Sequence, residues 1–349
     1  MNTLIEISDA GNGPEAEHQW NQFVEQNYPP IGAFMQTWEW GNFQKELGRE
    51  IGRYVVTIGN ERIAAFTLVH YKLPLGMSYG YAPRGPVISK KFHGAEKEIA
   101  LFNAIRDWAK KKFPQFIFLR LEPPLKTLPE GWHDKSFRFP SRYIQPRYNL
   151  AIPLEQSEDD IAKMFHHSTR SNLRRAERRG VTVVAKPGIA EDDYQNFSAM
   201  KEGTIQRNSG TNAYPSEQYF RAFLKTIPAT GGRDKLMVGS FCGYQNGEPA
   251  SVHFVLFFGD TATYLYGASH TKHLNSKVDT YLHWQGILEA KRRGFHYYDL
   301  GGIDPARWPS LTEFKRQFRG TEFEYVGNID IPIQPSKYLG YSLFRKFGK

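Results

Sequence analysis

The chain has 349 residues, with 45 Lys and Arg against 36 Asp and Glu, a formal net charge of +9. That length exceeds the roughly 250–300 residues at which one hydrophobic core stops growing, so two domains are expected. With 40% apolar and 15% aromatic residues a disordered chain is excluded, and the positive excess favours an anionic partner.

Met1-Asn-Thr-Leu-Ile-Glu6 has neither the basic nor the apolar region of a secretory signal, so a cytoplasmic protein is expected. Phe34, Trp38, Trp40, Phe43 and Leu47 recur at helical spacing and predict an amphipathic helix over 34–47. Tyr54–Ile58 and Ile63–His70, joined through Gly59-Asn60, read as a hairpin, with a third strand over Met77–Tyr81. Ala95–Lys112 has helical periodicity, and Phe116–Leu121 is a buried strand stopped by Glu122-Pro-Pro124. Leu150–Leu154 reads as a boundary strand, and Ser157 starts a single helix that runs to Arg179 and stops at Gly180.

The order then recurs. Helices near 193–206 and 216–226 precede strands at Leu236–Phe241, Ala250–Phe258 and Ala262–Tyr266, a helix at about 278–293 and a strand at Phe295–Leu300. Ala250 lies 186 residues after Ala64, and Leu300 lies 179 after Leu121, so two copies of one mixed α/β unit are expected. The longest aliphatic or aromatic stretch of the most apolar region is Phe254–Phe258, against the ~20 residues of a spanning helix. Cys242 is the only cysteine, which excludes an internal disulfide and any multi-cysteine metal site.

The charge is concentrated between Lys163 and Arg179, where six basic residues face one acid, Glu177. Arg170, Arg174 and Arg178 are four apart and share a helix face, with Arg175 and Arg179 beside them. A solvated face suited to the helix dipole would explain part of this, but so one-sided a stripe is better explained by phosphates. Lys315 follows the Gly301-Gly302 strand end, where a fixed cation can stabilise an oxyanion or a phosphate; an amphipathic turn with Phe314 inward is the plainer reading. Lys45 and Arg207 each follow a predicted helix and could hold a diphosphate, and Glu122 could serve as a general base. Tyr264 and Tyr266, two apart on a strand, are expected on one face. No phosphate-binding Gly-x-x-x-x-Gly-Lys-Ser/Thr loop and no His-Glu-x-x-His pair occurs. His166-His167 and His270/His273 have poor ligand geometry, so no metal is expected.

Together the segments Gln36-Thr-Trp-Glu-Trp-Gly-Asn-Phe-Gln-Lys45, Tyr81-Ala-Pro-Arg-Gly-Pro-Val87 and Thr169–Gly180 resemble the FemABX peptidyltransferases. So do Tyr266-Gly-Ala-Ser269, Tyr298-Asp-Leu-Gly-Gly-Ile303 and Leu311-Thr-Glu-Phe-Lys-Arg-Gln-Phe318, and the likeness spans about residues 30–340. The resemblance implies two tandem acetyltransferase-like (GNAT) domains of mixed α/β class. The first would comprise 1–149 with 325–349, the second 150–324. Only about 25 residues separate Glu155 from Gly180, too few for the long helical arm of some members.

The resemblance further implies transfer of an amino acid from aminoacyl-tRNA to the side-chain amine of a peptidoglycan stem peptide, forming the interpeptide bridge. The acceptor would be UDP-MurNAc-pentapeptide or lipid II, without cofactor or DNA, and with peripheral association at the inner membrane face. Carried over, Lys45 and Arg207 match the diphosphate-holding cations, and Phe314 with Lys315 match the pair at the transferred group. Glu122 stands at the position of the proposed base, and Tyr264 or Tyr266, with Trp38, at substrate contacts. Arg170, Arg174, Arg175, Arg178 and Arg179 would meet the tRNA. The competing expectations are an acyl-CoA-dependent N-acyltransferase, for which the pyrophosphate loop is missing, a non-catalytic RNA-binding module, and transfer onto a lipid or a protein N-terminus.

Overall fold

The computed structural model describes residues 4–207 and 214–347. In chain order the elements are β1 (Ile5–Asp9), α1 (Pro14–Asn27), α2 (Trp38–Glu46), β2 (Ile51–Ile58), β3 (Glu61–Lys72), β4 (Ser78–Ala82), β5 (Val87–Ile88), α3 (Ala95–Lys112) and β6 (Phe118–Leu121). Next come β7 (Tyr148–Pro153), α4 (Glu158–Met164), α5 (His167–Arg178), β8 (Thr182–Pro187), α6 (Glu191–Arg207), α7 (Glu217–Thr226), β9 (Met237–Gln245), β10 (Glu248–Phe258) and β11 (Thr261–Ser269). The last are α8 (Val278–Arg292), β12 (Tyr297–Ile303), α9 (Pro309–Arg316), β13 (Thr321–Glu324), β14 (Ile329–Pro332) and α10 (Pro335–Phe347). They form two compact units: the chain up to Arg147 with the segment from Glu324 onward, and Tyr148–Phe323.

In the first unit the sheet runs β1-β2-β3-β4-β6-β14, with β5 on β3. Among the described residues of this unit only β4 and β6 pair in parallel. Leu101, Phe102, Ile105 and Ala109 of α3 fall on one helical face, and that face closes the core over Phe66, Leu68, Leu119 and Leu121. The returning β14 is held to β6 by a buried bidentate pair, Arg120 to Asp330 at 2.6 and 2.7 Å, with the Tyr338 hydroxyl donating to the same carboxylate at 2.9 Å.

In the second unit the order is β13-β7-β12-β11-β10-β9-β8, and there β11 and β12 pair in parallel. One core cluster joins α5 and α8 to the sheet, and a second joins α6 and α7 to it. Two mixed sheets, each entered by a crossover helix before its parallel strand, give the fold its mixed α/β character.

Three local expectations are corrected. The helix expected to run unbroken to Arg179 is two helices, α4 and α5, separated at Phe165-His166. Ser157 caps α4, while the His166 ring accepts from the Ser168 amide at 3.3 Å and starts α5; Arg170 donates to the carbonyls of Lys163 and Phe165 at the break. The helix expected from residue 34 begins only after Thr37, whose hydroxyl accepts from the Trp40 amide at 3.2 Å. In β11, register jumps from Tyr266 opposite Phe254 to Tyr264 opposite Val255, leaving Leu265 as a bulge.

Candidate active site

In each unit two parallel strands run out side by side, β4 with β6 and β11 with β12, and the residues after them differ. In the first unit β4 and β6 stay paired to Ala82 and Leu121. The next residue, Glu122, donates its amide to the Gly85 carbonyl at 2.8 Å. Its carboxylate accepts from the Tyr81 hydroxyl at 2.7 Å and from the amides of Arg84 and Gln145, each at 3.2 Å. Burial, and then the adjacent carboxylate, push the Tyr81 phenol well above its ordinary pKa, so it stays a donor. Glu122 is 1% exposed and both its oxygens are engaged by its own unit. A general base must reach a substrate proton, and in this geometry both carboxylate oxygens already accept from donors of the same unit.

In the second unit β11 and β12 share only the register Thr261–Thr263 with Tyr297–Asp299, and beyond it they part. Pairing of β12 with β7 is interrupted between Asp299 and Gly302. There Gly301, at φ 82°, donates its amide to Asp299 Oδ1 at 2.7 Å, and Asn149 Nδ2 donates to the same carboxylate at 3.1 and 3.3 Å. The chain then turns on Asp304, which caps the amides of Ala306 and Arg307, and enters α9. Thr312 and Lys315, three apart on α9, face inward. Lys315 is 5% exposed and donates from Nζ to the Gly302 carbonyl at 2.8 Å.

Burial lowers the Lys315 ammonium from its usual value near 10.5 to about 8, with Asp299 acting in the opposite direction. An amine of that pKa is largely protonated at pH 7 yet can release its proton. It can therefore act as an oxyanion donor or a proton carrier. Phe314 is half-buried beside it, its ring 5.7 Å from His283 and 5.6 Å from Phe318.

One cluster escaped the sequence reading. His253 of β10 and Asp279 and His283 of α8 bring three donor atoms within 4.8 Å of one another. His253 Nε2 and Asp279 Oδ1 are 2.8 Å apart, and the hydroxyls of Ser269 and Ser251 also donate to that oxygen at 3.1 and 3.4 Å. Burial, then His253 and Lys315 beside it, push the His283 pKa well below its ordinary value. Neutral imidazole and carboxylate are the donor chemistry a divalent ion would need, and the expectation of no metal rested on other histidines. The i, i+4 spacing of Asp279 and His283 was the available signal; the strand partner is 26 residues away from Asp279.

The remaining candidates are distributed. Tyr264 packs with His253 and His283 on the α8 side, whereas Tyr266 packs with Phe220 on the α7 side and reaches the Tyr219 hydroxyl at 3.2 Å. The Leu265 bulge thus overturns the expectation that they share a face. Arg207 donates to Thr271 Oγ1 at 2.7 Å and to the Ser269 carbonyl at 2.9 Å, bracing its own unit. Trp38 is buried under the Arg53 guanidinium, 3.7 Å from its ring centre. Lys45, in the last turn of α2 in the first unit, is exposed. On α5, Leu173 and Ala176 are buried and Arg174, Arg175, Arg178 and Arg179 are exposed; no ion pair engages these four among the described residues. Arg170 is instead engaged at the helix break.

Against known proteins, the chain is 28% identical over 404 residues to a lipid II:glycine glycyltransferase of Staphylococcus aureus, covering 93% of this chain and 94% of that one. It is 21% identical over 389 residues to the protein of the same name from Staphylococcus epidermidis, covering 92% of each. Among solved structures, FemX superposes with a TM-score of 0.79 at 18% identity, over 97% of this chain and all of that one. A tandem GNAT protein from the clavulanic acid pathway superposes at 0.53 and 15% identity, over 95% and 99%. The FemAB family model matches residues 16–128, 125–230 and 242–346, and with nearly the whole chain so accounted for, this protein belongs to the FemAB family.

Proposed function

We propose that this protein is an aminoacyltransferase that moves an amino acid from aminoacyl-tRNA to a side-chain amine of a peptidoglycan precursor. The observation that carries the reading is the parting of β11 and β12 around a buried lysine whose pKa is about 8. The names of the similar staphylococcal enzymes point to the same substrate class.

The acceptor amine attacks the ester carbonyl of the donor, forming a C–N bond, and the ribose oxygen leaves as the C–O bond breaks. The ester is already activated, so no nucleotide need be hydrolysed. Lys315 Nζ–H stabilises the tetrahedral oxyanion and passes a proton to the leaving oxygen, and the proton that the attacking amine gives up restores the lysine. The half-buried Phe314 ring screens the lysine from water. The four exposed arginines of α5 neutralise tRNA phosphates, and Lys45 is a cation for the acceptor diphosphate.

The deciding test incubates the protein with a charged tRNA mixture and either UDP-MurNAc-pentapeptide or lipid II, with mass spectrometry of the peptide as the readout. An amino-acid mass increment that vanishes on RNase treatment is expected. No increment on either acceptor would sink the proposal. Stabilisation by acetyl-CoA but not by tRNA would move the chain to the acyl-CoA enzymes.

A further inference from the structure

Within the first unit, α10 buries only one side. Tyr338 and Tyr341 enter a small cluster with Tyr71, Leu73, Met77, Tyr79 and Phe118, their rings 5.3 and 4.9 Å from that of Phe118. With the Tyr338 hydroxyl tied to Asp330, this sets the rotation of the helix. At 100° per residue, Leu339, Leu343 and Phe344 then fall on the outward arc, with Gly340 between them. They are 61%, 49% and 71% exposed, and no other element among the described residues carries three large apolar side chains so exposed.

The same cluster holds the turn between β3 and β4. Leu73 and Met77 pack into it, while Leu75, between them at the tip, is 94% exposed. Two elements that share one tyrosine-rich anchor therefore both project bare apolar side chains.

Basic side chains flank them. The α10 sequence holds Lys337 and Arg345 and no acid, Lys72 ends β3 at the turn, and Arg49 lies 4.9 Å from the Tyr71 ring centre. A core helix would cover its leucines, and a solvated helix would not carry them. Protruding apolar side chains over a layer of tyrosines, flanked by cations, match a helix lying in the plane of an anionic bilayer surface. No helix among the described residues is long and apolar enough to cross a membrane, so the contact would be peripheral.

We propose that α10 and the Leu75 turn form a docking face for anionic lipid. The face stands on its exposed side chains alone; its consequence, presentation of the chain to a lipid-linked acceptor, rests on the proposed reaction.

Flotation of the full chain with phosphatidylglycerol-containing vesicles, against pure phosphatidylcholine, tests it. Binding to the anionic vesicles is expected, weakened by salt. The combined variant Leu339→Ser, Leu343→Ser and Phe344→Ser should bind roughly tenfold or more weakly with an unchanged thermal melt, and Leu75→Ser by about two- to threefold. Lys337→Glu with Arg345→Glu should also release the protein, which keeps the test valid if the serine variant folds poorly.

No flotation of the unaltered chain, or equal flotation of all variants, overturns the proposal. So does a dimer that the serine variant dissociates in the absence of vesicle binding, since the face would then belong to a second copy. Transfer to soluble UDP-linked acceptor should survive the serine variant. Its absence from the unaltered chain as well would count against the reaction and not against the docking face.

Discussion

The two parallel strand pairs share a topology and end in opposite ways. In the first unit, pairing of β4 with β6 persists to the strand ends, and Glu122 just beyond them accepts from Tyr81, Arg84 and Gln145. In the second, β11 and β12 part after three register pairs, and Lys315 reaches a carbonyl of the separated strand. One fold has thus been used once as scaffold and once as a candidate site. The difference lies in the residue type placed at the opening. A carboxylate surrounded by local donors pulls neighbouring loops together, whereas a lysine held by one carbonyl keeps donors in reserve.

Substitution can break that contrast most sharply at Lys315. Lys315→Met keeps the length of the side chain and removes its donors, so transfer should fall by roughly a hundredfold or more in a single-turnover assay. The stability change should have the opposite sign. The folded-state pKa, about 8, lies below the usual lysine value, so burying the charge costs stability at neutral pH, and stability recovers as pH rises from about 8 towards 10.5. A shift of that size corresponds to about 3 kcal/mol at most, less what the Gly302 bond returns, so the variant should melt higher than its parent at pH 7. If Lys315 acts protonated, the rate should decline above pH 8. A variant that melts lower and transfers normally would return Lys315 to a purely structural role.

Glu122→Gln probes the other half of the comparison. It removes a buried charge beside the buried Arg84 and should cost about 3 kcal/mol in denaturant unfolding. The rate per folded molecule should stay close to normal. A large loss of rate with unchanged stability would make Glu122 the base after all and erase the asymmetry between the units.

The donor's charge offers a subtler test, because it should be felt in the second unit. Replacing Arg174 and Arg178 with alanine removes two exposed cations of α5. The slope of log affinity for charged tRNA against log salt should therefore fall by roughly 1.4–1.8. Lys110→Ala with Lys111→Ala, in the last turn of α3, removes as much charge from the first unit and should leave the slope alone. Equal effects of both pairs would mean that net charge, rather than the stripe, attracts the RNA.

These contrasts were unevenly legible in the chain itself. The helix over Ala95–Lys112 and the hairpin strands were readable because their apolar periodicity is local and the sheets simply bury it. The environment of Lys315 was not. Its depressed pKa depends on burial beneath strands whose separation no local pattern announces. Glu122 looked free because the donors that occupy it lie 38 and 41 residues before it and 23 after it. The break between α4 and α5 was hidden for another reason: Phe165 and His166 continue the helical pattern, while the backbone turns extended there and the His166 ring caps a new helix.

The finest test concerns the strand that opens. Period-two alternation would put Tyr264 and Tyr266 side by side, but the Leu265 bulge turns the first towards His253 and His283 and the second towards Tyr219 and Phe220. Tyr266→Phe then loses only a 3.2 Å bond to another phenol, costing under ~1 kcal/mol and leaving transfer within about twofold. Tyr264→Phe alters the polar side of the split, next to the histidines. An unequal response in the transfer assay, with Tyr264 the more sensitive, would assign the working face of the open strand to the α8 side. The reverse order would place it against α7 and restore Tyr266 as the substrate contact.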